Sequence, residues 1–167
     1  NLGFASQRVG ELVDQALDLV GLADRAADEP YALTLSERKL LCIASVVAMD
    51  TPVLVLDEPT TGQDQRGVRR MAELVRHLRS TGRSVIAITH DMEFVAEGFE
   101  RTVVMAHGQV VLDADTRTVF GEVDLLETCG VEPPPITRLA RLLGLRQTPL
   151  LIPEFVAAFA EGVGSHV

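Results

Sequence analysis

The stretch VLVLDEPT, residues 53–60, decides the fold of this chain. Its first four residues are apolar and two of them are β-branched valines, a pattern typical of a strand buried on both faces in a parallel sheet. Pro59 cannot continue the hydrogen-bond ladder, so Asp57 and Glu58 are predicted to lie at the carboxyl end of that strand. Ligands bind at this edge of open α/β sheets, so the two carboxylates are candidate functional groups.

A second apolar run, Ser84–Ile88, is closely followed by His90. Between the two runs, residues 65–80 carry apolar side chains at helical spacing. The order strand, helix, strand predicts a β-α-β unit, whose crossover is right-handed and whose strands are parallel. The carboxyl ends of parallel strands lie at the same edge of a sheet, so Asp57, Glu58 and His90 are predicted to converge on a common ligand.

Composition excludes some classes of protein. The chain has 167 residues, enough for one domain, and carries 24 Asp and Glu against 15 Lys and Arg, which disfavours a nucleic-acid-binding surface. No apolar run approaches the roughly 20 residues that span a bilayer, and no signal-peptide pattern is present. Cys42 and Cys129 are far apart in sequence and are expected to be buried free thiols in a reducing compartment, so the expected location is cytoplasmic.

Two helices are predicted before the central strand. Ser6 is expected to cap the first, which carries an apolar stripe and ends at Gly21. The second begins at Thr34-Leu35-Ser36-Glu37, which has the form of a capping box: the Thr34 hydroxyl bonds one free amide and Glu37 reaches back to another. The rest of this second helix is apolar nearly all round and is expected to be buried.

Short elements are predicted after His90. His107-Gly108 is a two-residue turn joining strands 102–106 and 109–113 in a hairpin. Glu132-Pro133-Pro134-Pro135 is expected to form a stiff polyproline spacer. Short helices are predicted at 92–97, 116–120 and 124–129, and two apolar helical faces, either core or partner surface, come after the prolines.

This ordered set of motifs resembles the ATP-binding-cassette ATPases. The central strand resembles the Walker B strand, residues 62–64 fall in the D-loop, and His90 matches the switch histidine. Residues 33–37 occupy the place of the family signature Leu-Ser-Gly-Gly-Gln, because the run from Leu33 to Asp57 needs no insertion or deletion. The tail, including Pro-Pro-x-Ile-Thr-Arg-Leu-Ala, resembles ATPases of energy-coupling-factor and cobalt importers, and residues 1–4 resemble the segment after the Q-loop in importers.

The resemblance implies an α/β fold: a partial P-loop NTPase-like parallel sheet with a helical signature subdomain, then a C-terminal hairpin and helices. Residues 1–120 are expected to be a partial ATPase domain and residues 121–167 a helical extension. The sequence holds no G-x-x-x-x-G-K-[ST] phosphate loop. The chain is therefore expected to be the C-terminal portion of its domain, with poor solubility and no measurable ATP binding when isolated.

The resemblance also implies ATP and Mg²⁺ as cofactors. Asp57 is expected to hold Mg²⁺ through water, Glu58 to polarise the attacking water, and His90 to contact the γ-phosphate. Asp64 is expected to reach across a dimer interface. The signature segment is expected to contact ATP held by the partner subunit, and its nucleotide-binding candidates are Thr34, Leu35, Ser36 and Glu37.

The function implied is the ATP-hydrolysing subunit of an importer for a vitamin or a transition-metal ion, peripheral on the inner face of the cell membrane. Its expected partners are a membrane coupling subunit and a second ATPase, and no nucleic acid. Leu35 and Ser36 replace the signature glycines, so the site they complete is expected to be weak, which favours a different second chain with an intact signature.

Alternatives remain open on the sequence alone. The chain can be a soluble ATPase of the family acting in DNA repair or translation, a partly degenerate regulatory subunit, or an unrelated nucleotide enzyme. Asp57-Glu58 can be an ordinary polar strand end, His90 a residue without chemistry, and the signature segment an ordinary capped helix. The other histidines and an arginine group are expected to be solvated: His77, His107, His166, Arg69, Arg70, Arg76 and Arg79.

Overall fold

A computed structural model of the chain describes residue 3 and residues 5–164, with side chains as far as residue 161. It divides into two compact units, Asn1–Thr89 and His90–Val167. Most of the resemblance at residues 1–4, and the prediction for His166, lie outside the described residues. The domain boundary after residue 120 stays a prediction.

The first unit contains the predicted β-α-β arrangement. Strands β1 and β2 pair in parallel with Val53 opposite Ser84 and Asp57 opposite Ile88, and helix α3 connects them. The elements in chain order are α1 Ser6–Val20, two short 3₁₀ helices at Ala23–Arg25 and Pro30–Ala32, α2 Leu35–Val47, β1 Val53–Asp57, α3 Gln65–Ser80 and β2 Ser84–Ile88.

Burial of β1 differs from the prediction. Leu54 and Leu56 are buried, but Val53 and Val55 on the other face are 50% and 60% exposed. The predicted burial on both faces is therefore wrong for this chain. Alternating side chains point to opposite faces of a strand, and among the described residues only one face of this two-stranded sheet is covered.

The two N-terminal helices also depart from the prediction in detail. Ser6 is the first helical residue of α1 rather than its cap; Ala5 takes the cap position and has no side chain able to bond an amide. Gly21 ends the helix in the left-handed conformation, as predicted. Helix α2 buries one face only, and both Cys42 and Val46 are exposed, so burial all round is wrong.

The second unit begins with helix α4 and the predicted hairpin. His107 and Gly108 both have positive φ, 52° and 76°, which matches the twist of a two-residue hairpin turn. Strand β4 extends two residues beyond the prediction, and the pairing contains a register shift next to Val104. The elements are α4 Met92–Gly98, β3 Arg101–Ala106, β4 Gln109–Asp115, α5 Thr116–Gly121, α6 Val123–Thr128, α7 Pro135–Leu142 and α8 Ile152–Gly164.

A small apolar core holds this unit together. Its buried members come from the helices, the hairpin and the segment before α8: Val95, Val104, Val119, Phe120, Leu126 and Leu150. Cys129 packs against them but is only partly buried, and Cys42 is exposed. The predicted burial of both thiols is therefore wrong for Cys42 and only partly correct for Cys129. The predicted spacer is shorter than three prolines because Pro135 is the first residue of α7. Ile152 and Val156 on α8 are exposed, at 64% and 59%.

Candidate functional site

The carboxyl end of β1 places the predicted pair of carboxylates. Asp57 is the last residue of the strand and is exposed. Glu58 comes next with φ of 46°, a conformation that non-glycine residues rarely adopt. Its backbone is held on both sides: its amide donates to the Ile88 carbonyl at 2.8 Å, and its carbonyl accepts from the Thr61 amide at 3.3 Å. Backbone strain of this kind is retained where neighbouring contacts fix it.

Two overlapping turns form the loop from Glu58 to Asp64. The second turn is closed by the Gln63 amide, which donates to the Thr60 carbonyl at 2.9 Å. The Thr61 hydroxyl donates to Glu58 Oε2 at 3.3 Å, so the candidate catalytic carboxylate is bonded within its own loop. The loop ends where Asp64 Oδ1 accepts from the Gly67 amide at 2.8 Å and caps α3. The structure thus gives Asp64 a local role besides the predicted one at a dimer interface, which stays a prediction.

The predicted capping box at the signature segment is confirmed. The Glu37 amide donates to Thr34 Oγ1 at 3.2 Å, and the Thr34 amide donates to Glu37 Oε2 at 2.7 Å. These hydrogen bonds favour the charged carboxylate and hold the pKa of Glu37 below its usual value. Leu35, at a position of a signature glycine, is 59% exposed at the first turn of the helix. The remaining amides and the helix dipole make this end attractive to an anion.

Contacts between α2 and the loop were not predicted from the sequence. The Ser36 hydroxyl donates to Gln63 Oε1, and the Lys39 ammonium donates to the Thr61 carbonyl. A cation near the start of a helix opposes the helix dipole, and Lys39 is the one lysine in the sequence. That unusual placement is a signal from which its contact could have been suspected.

Gln63 is packed closely against α3. Gly67 faces it, and a Cβ at Gly67 would lie 2.3 Å from Gln63 Oε1 and 3.0 Å from Gln63 Cβ. Gln63 Nε2 is buried and has no hydrogen-bond partner among the described residues. The absence of a side chain at position 67 is therefore what lets Gln63 reach Ser36.

His90 is the first residue of the second unit. The next residue, Asp91, caps α4 by accepting from the Phe94 amide at 3.0 Å. The convergence of His90 with Asp57 and Glu58 stays a prediction. Of the residues expected to be solvated, Arg69, Arg70, Arg76, His77 and His107 are exposed, while Arg79 is half-buried.

Two properties of the described residues bear on the class of site. No group of three or more His, Cys, Asp or Glu side chains is arranged there to share a metal ion. No helix within residues 5–164 has both the length and the apolar character needed to cross a membrane.

Comparison with known proteins bears on the family. No protein-family model matches the chain. A putative ABC transporter ATP-binding protein of Methanosarcina acetivorans is 40% identical over 156 residues, covering 93% of this chain and 25% of that protein. The energy-coupling factor transporter ATP-binding protein EcfA2 of Streptococcus agalactiae is 33% identical, covering 97% of this chain and 60% of that protein. The chain belongs to the ATP-binding-cassette ATPase family.

Solved structures agree with this ATP-binding-cassette assignment. CbiO1 from Clostridium perfringens, described as part of the ABC transporter complex cbiONQ, superposes with a TM-score of 0.68 at 28% identity. The match covers 86% of this chain and 57% of that one. The predicted α/β fold class is therefore confirmed. This ATP-binding-cassette chain spans between a quarter and 60% of the length of the two curated relatives described above.

Proposed function

We propose that the protein containing this chain is the ATP-hydrolysing subunit of a membrane transporter. The observation that carries the proposal is the arrangement at the end of β1, where an exposed Asp57 is followed by a Glu58 with a backbone fixed in the left-handed region. The relatives support it, since several are named as ATP-binding proteins of ABC transporters.

Asp57 and Glu58 divide the work of phosphoryl transfer to water. A carboxylate on a strand end suits Mg²⁺, which is commonly bound by one or two carboxylates together with substrate phosphates and water. When bound, the ion neutralises charge on the phosphate oxygens. Asp57 would hold the hydrated ion, and the Glu58 carboxylate would accept a hydrogen bond from the attacking water and align it. His90 is assigned the contact with the γ-phosphate.

The signature end of α2 serves the ATP held by a second ATPase subunit. Its capping box keeps the helix start and its dipole in place. Leu35 and Ser36 put side chains where glycine allows close approach to phosphate, so this site turns over slowly and the opposite site does most of the hydrolysis. We therefore infer a heterodimer whose other subunit has an intact signature. Asp64 reaches across the interface between the two subunits.

The transporter is an importer of the energy-coupling-factor type, with a vitamin or a transition-metal ion as its substrate. The support is the likeness to EcfA2, which is named as an energy-coupling factor transporter ATP-binding protein, and to CbiO1, which is described as part of the ABC transporter complex cbiONQ. A membrane coupling subunit would then hold the ATPase pair peripherally on the inner face of the membrane.

The test is Glu58→Gln in the full-length protein assembled with its partners. The amide keeps the size of the side chain but removes its negative charge and its ability to act as a base, and a positioned base contributes on the order of 10² to 10⁴ in rate. Steady-state ATPase activity is therefore expected to fall by at least about 10². Binding of a fluorescent ATP analogue is expected to persist.

Glu73→Gln is the matched control, because Glu73 is an exposed residue of α3. It should leave the rate of hydrolysis unchanged. Hydrolysis by Glu58→Gln at the wild-type rate would remove the catalytic role from Glu58, and a wild-type complex without ATPase activity would overturn the proposed function itself.

A further inference from the structure

We infer that Thr61 is a positioning residue for the Glu58 carboxylate and that Lys39, on the signature helix, holds Thr61 in place. The inference rests on the proposed function, because it assigns Glu58 to the alignment of water. It adds two residues to the site and a physical connection between α2 and the reacting end of β1.

The first step is the pair of hydrogen bonds between Thr61 and Glu58. The Thr61 amide donates to the Glu58 carbonyl and the Thr61 hydroxyl donates to Glu58 Oε2, both at 3.3 Å. The backbone bond fixes the distance between the two residues, and the hydroxyl bond selects one orientation of the carboxylate. Thr61 itself is exposed, so its hydroxyl is not required for packing.

The second step is the attachment of Thr61 to α2. The Lys39 ammonium donates to the Thr61 carbonyl. The backbone amide, the backbone carbonyl and the hydroxyl of Thr61 therefore each take part in a hydrogen bond. A hydrogen bond with a charged donor is stronger than a neutral one. Lys39 is half-buried as a residue, which limits the freedom of its ammonium group.

The third step is that α2 is a firm support at this end. The capping box closes its first turn, and Ser36 makes a second contact with the loop at Gln63. Leu35 lies beside the loop as well, because its Cδ2 atom is 3.9 Å from the point where a Cβ added to Gly62 would lie. A displacement of the start of α2 is therefore transmitted to the loop and, through Thr61, to Glu58.

This connection links two sites of one subunit. The start of α2 is the end that meets the partner's ATP in the proposed dimer, while Glu58 acts on the ATP held by its own subunit. Engagement of the partner's nucleotide would thus set the orientation of the base at the other site.

The test is Thr61→Val in the full-length assembled complex. Valine keeps the shape of threonine and removes the hydroxyl, so the rate constant kcat is expected to fall about three- to tenfold, the effect of one net hydrogen bond. KM for Mg-ATP is expected to stay unchanged, since Thr61 holds the base rather than the nucleotide. Thr61→Ser keeps the hydroxyl, so its kcat is expected to equal that of the wild type.

The matched control is Thr81→Val, which removes a hydroxyl bond of 2.8 Å to the Leu78 carbonyl at the far end of α3. It should leave kcat unchanged. Lys39→Met should reproduce the loss seen in Thr61→Val, and the Lys39→Met, Thr61→Val double variant should be no slower than the slower single variant, because both act through one contact.

The outcomes separate this inference from the proposed function. In the Glu58→Gln background, Thr61→Val should change the residual rate by less than about twofold. If Glu58→Gln abolishes hydrolysis but Thr61→Val keeps wild-type kcat, the inference is wrong and the function stands. A Thr61→Ser variant as slow as Thr61→Val, or losses from Lys39→Met and Thr61→Val that multiply, would overturn it as well.

Discussion

Replacement of Gly67 by alanine tests how the loop is packed against α3. Helix α3 contains Gly67 within its first turn, and alanine is more favourable than glycine in a helix by about 1 kcal/mol. The new methyl group would lie 2.3 Å from Gln63 Oε1, 3.2 Å from Gln63 Cδ and 3.0 Å from Gln63 Cβ. Gln63 must therefore swing away, and it then loses its hydrogen bond with Ser36.

The magnitude comes from these opposing effects. Loss of the Ser36 hydrogen bond costs about 1 kcal/mol, which offsets the helix gain, so Gly67→Ala alone is expected to leave the free energy of unfolding unchanged or lower. In a Gln63→Ala background the clashing Oε1 and Cδ atoms are absent. Only the 3.0 Å contact with the Cβ of residue 63 remains, so there the same substitution is expected to stabilise the protein by up to about 1 kcal/mol.

Urea denaturation of the full-length protein and the three variants measures this cycle, read as changes in the free energy of unfolding at constant slope. The expected coupling between the two positions is about 1 kcal/mol or more. A coupling below about 0.3 kcal/mol would show that the sites act independently. That result would refute the packing of Gln63 against Gly67 described above.

Two further predictions concern the signature and the second unit. The Leu35→Gly, Ser36→Gly double variant is expected to raise the ATPase rate of the assembled complex, because it restores close approach of the backbone to phosphate. Ser36→Ala keeps a Cβ and is not expected to raise the rate. Equal rates for the wild type and both variants, together with high activity of the protein as a homodimer, would contradict the asymmetric pair. In the second unit, the Arg117 guanidinium bonds the Glu154 carboxylate at 2.8 and 3.0 Å and holds the pKa of Glu154 below its ordinary value. The ion pair stabilises the folded protein above the pKa that Glu154 has in the unfolded chain, and this stabilisation is lost as pH falls through the lower pKa of Glu154 in the folded protein. Arg117→Gln should therefore lower the free energy of unfolding by about 1 kcal/mol at pH 7 and by progressively less in acid. Arg138→Gln, which breaks an exposed pair, is the control expected to cost less in thermal melts at both pH values.

Local pattern was sufficient to predict the elements around the site. The apolar run before Asp57, the helical spacing after Asp64 and the turn at His107 each depend on neighbours in sequence, and each appears where it was predicted. The capping box of Thr34 and Glu37 belongs to the same class, because its partners lie three residues apart.

The burial of β1 and the contacts of the loop were not predictable in the same way. The exposure of Val55 depends on which elements cover the sheet, and strand periodicity alone does not contain that information. The contacts of Ser36 and Lys39 with the loop join residues 27 and 22 positions apart. Contacts at such separations arise from packing of whole elements, so no spacing rule in the sequence indicates them.

The single lysine of this chain has a chemical consequence. Amine-selective reagents find one side-chain target within residues 1–167, and its ammonium group is the one that grips the loop carrying Thr61. An acylating reagent reacts with a free amine, so the rate of labelling at Lys39 records how often its hydrogen bond with the Thr61 carbonyl breaks. The sequence thereby contains its own reporter of loop release, readable by mass spectrometry without an introduced probe.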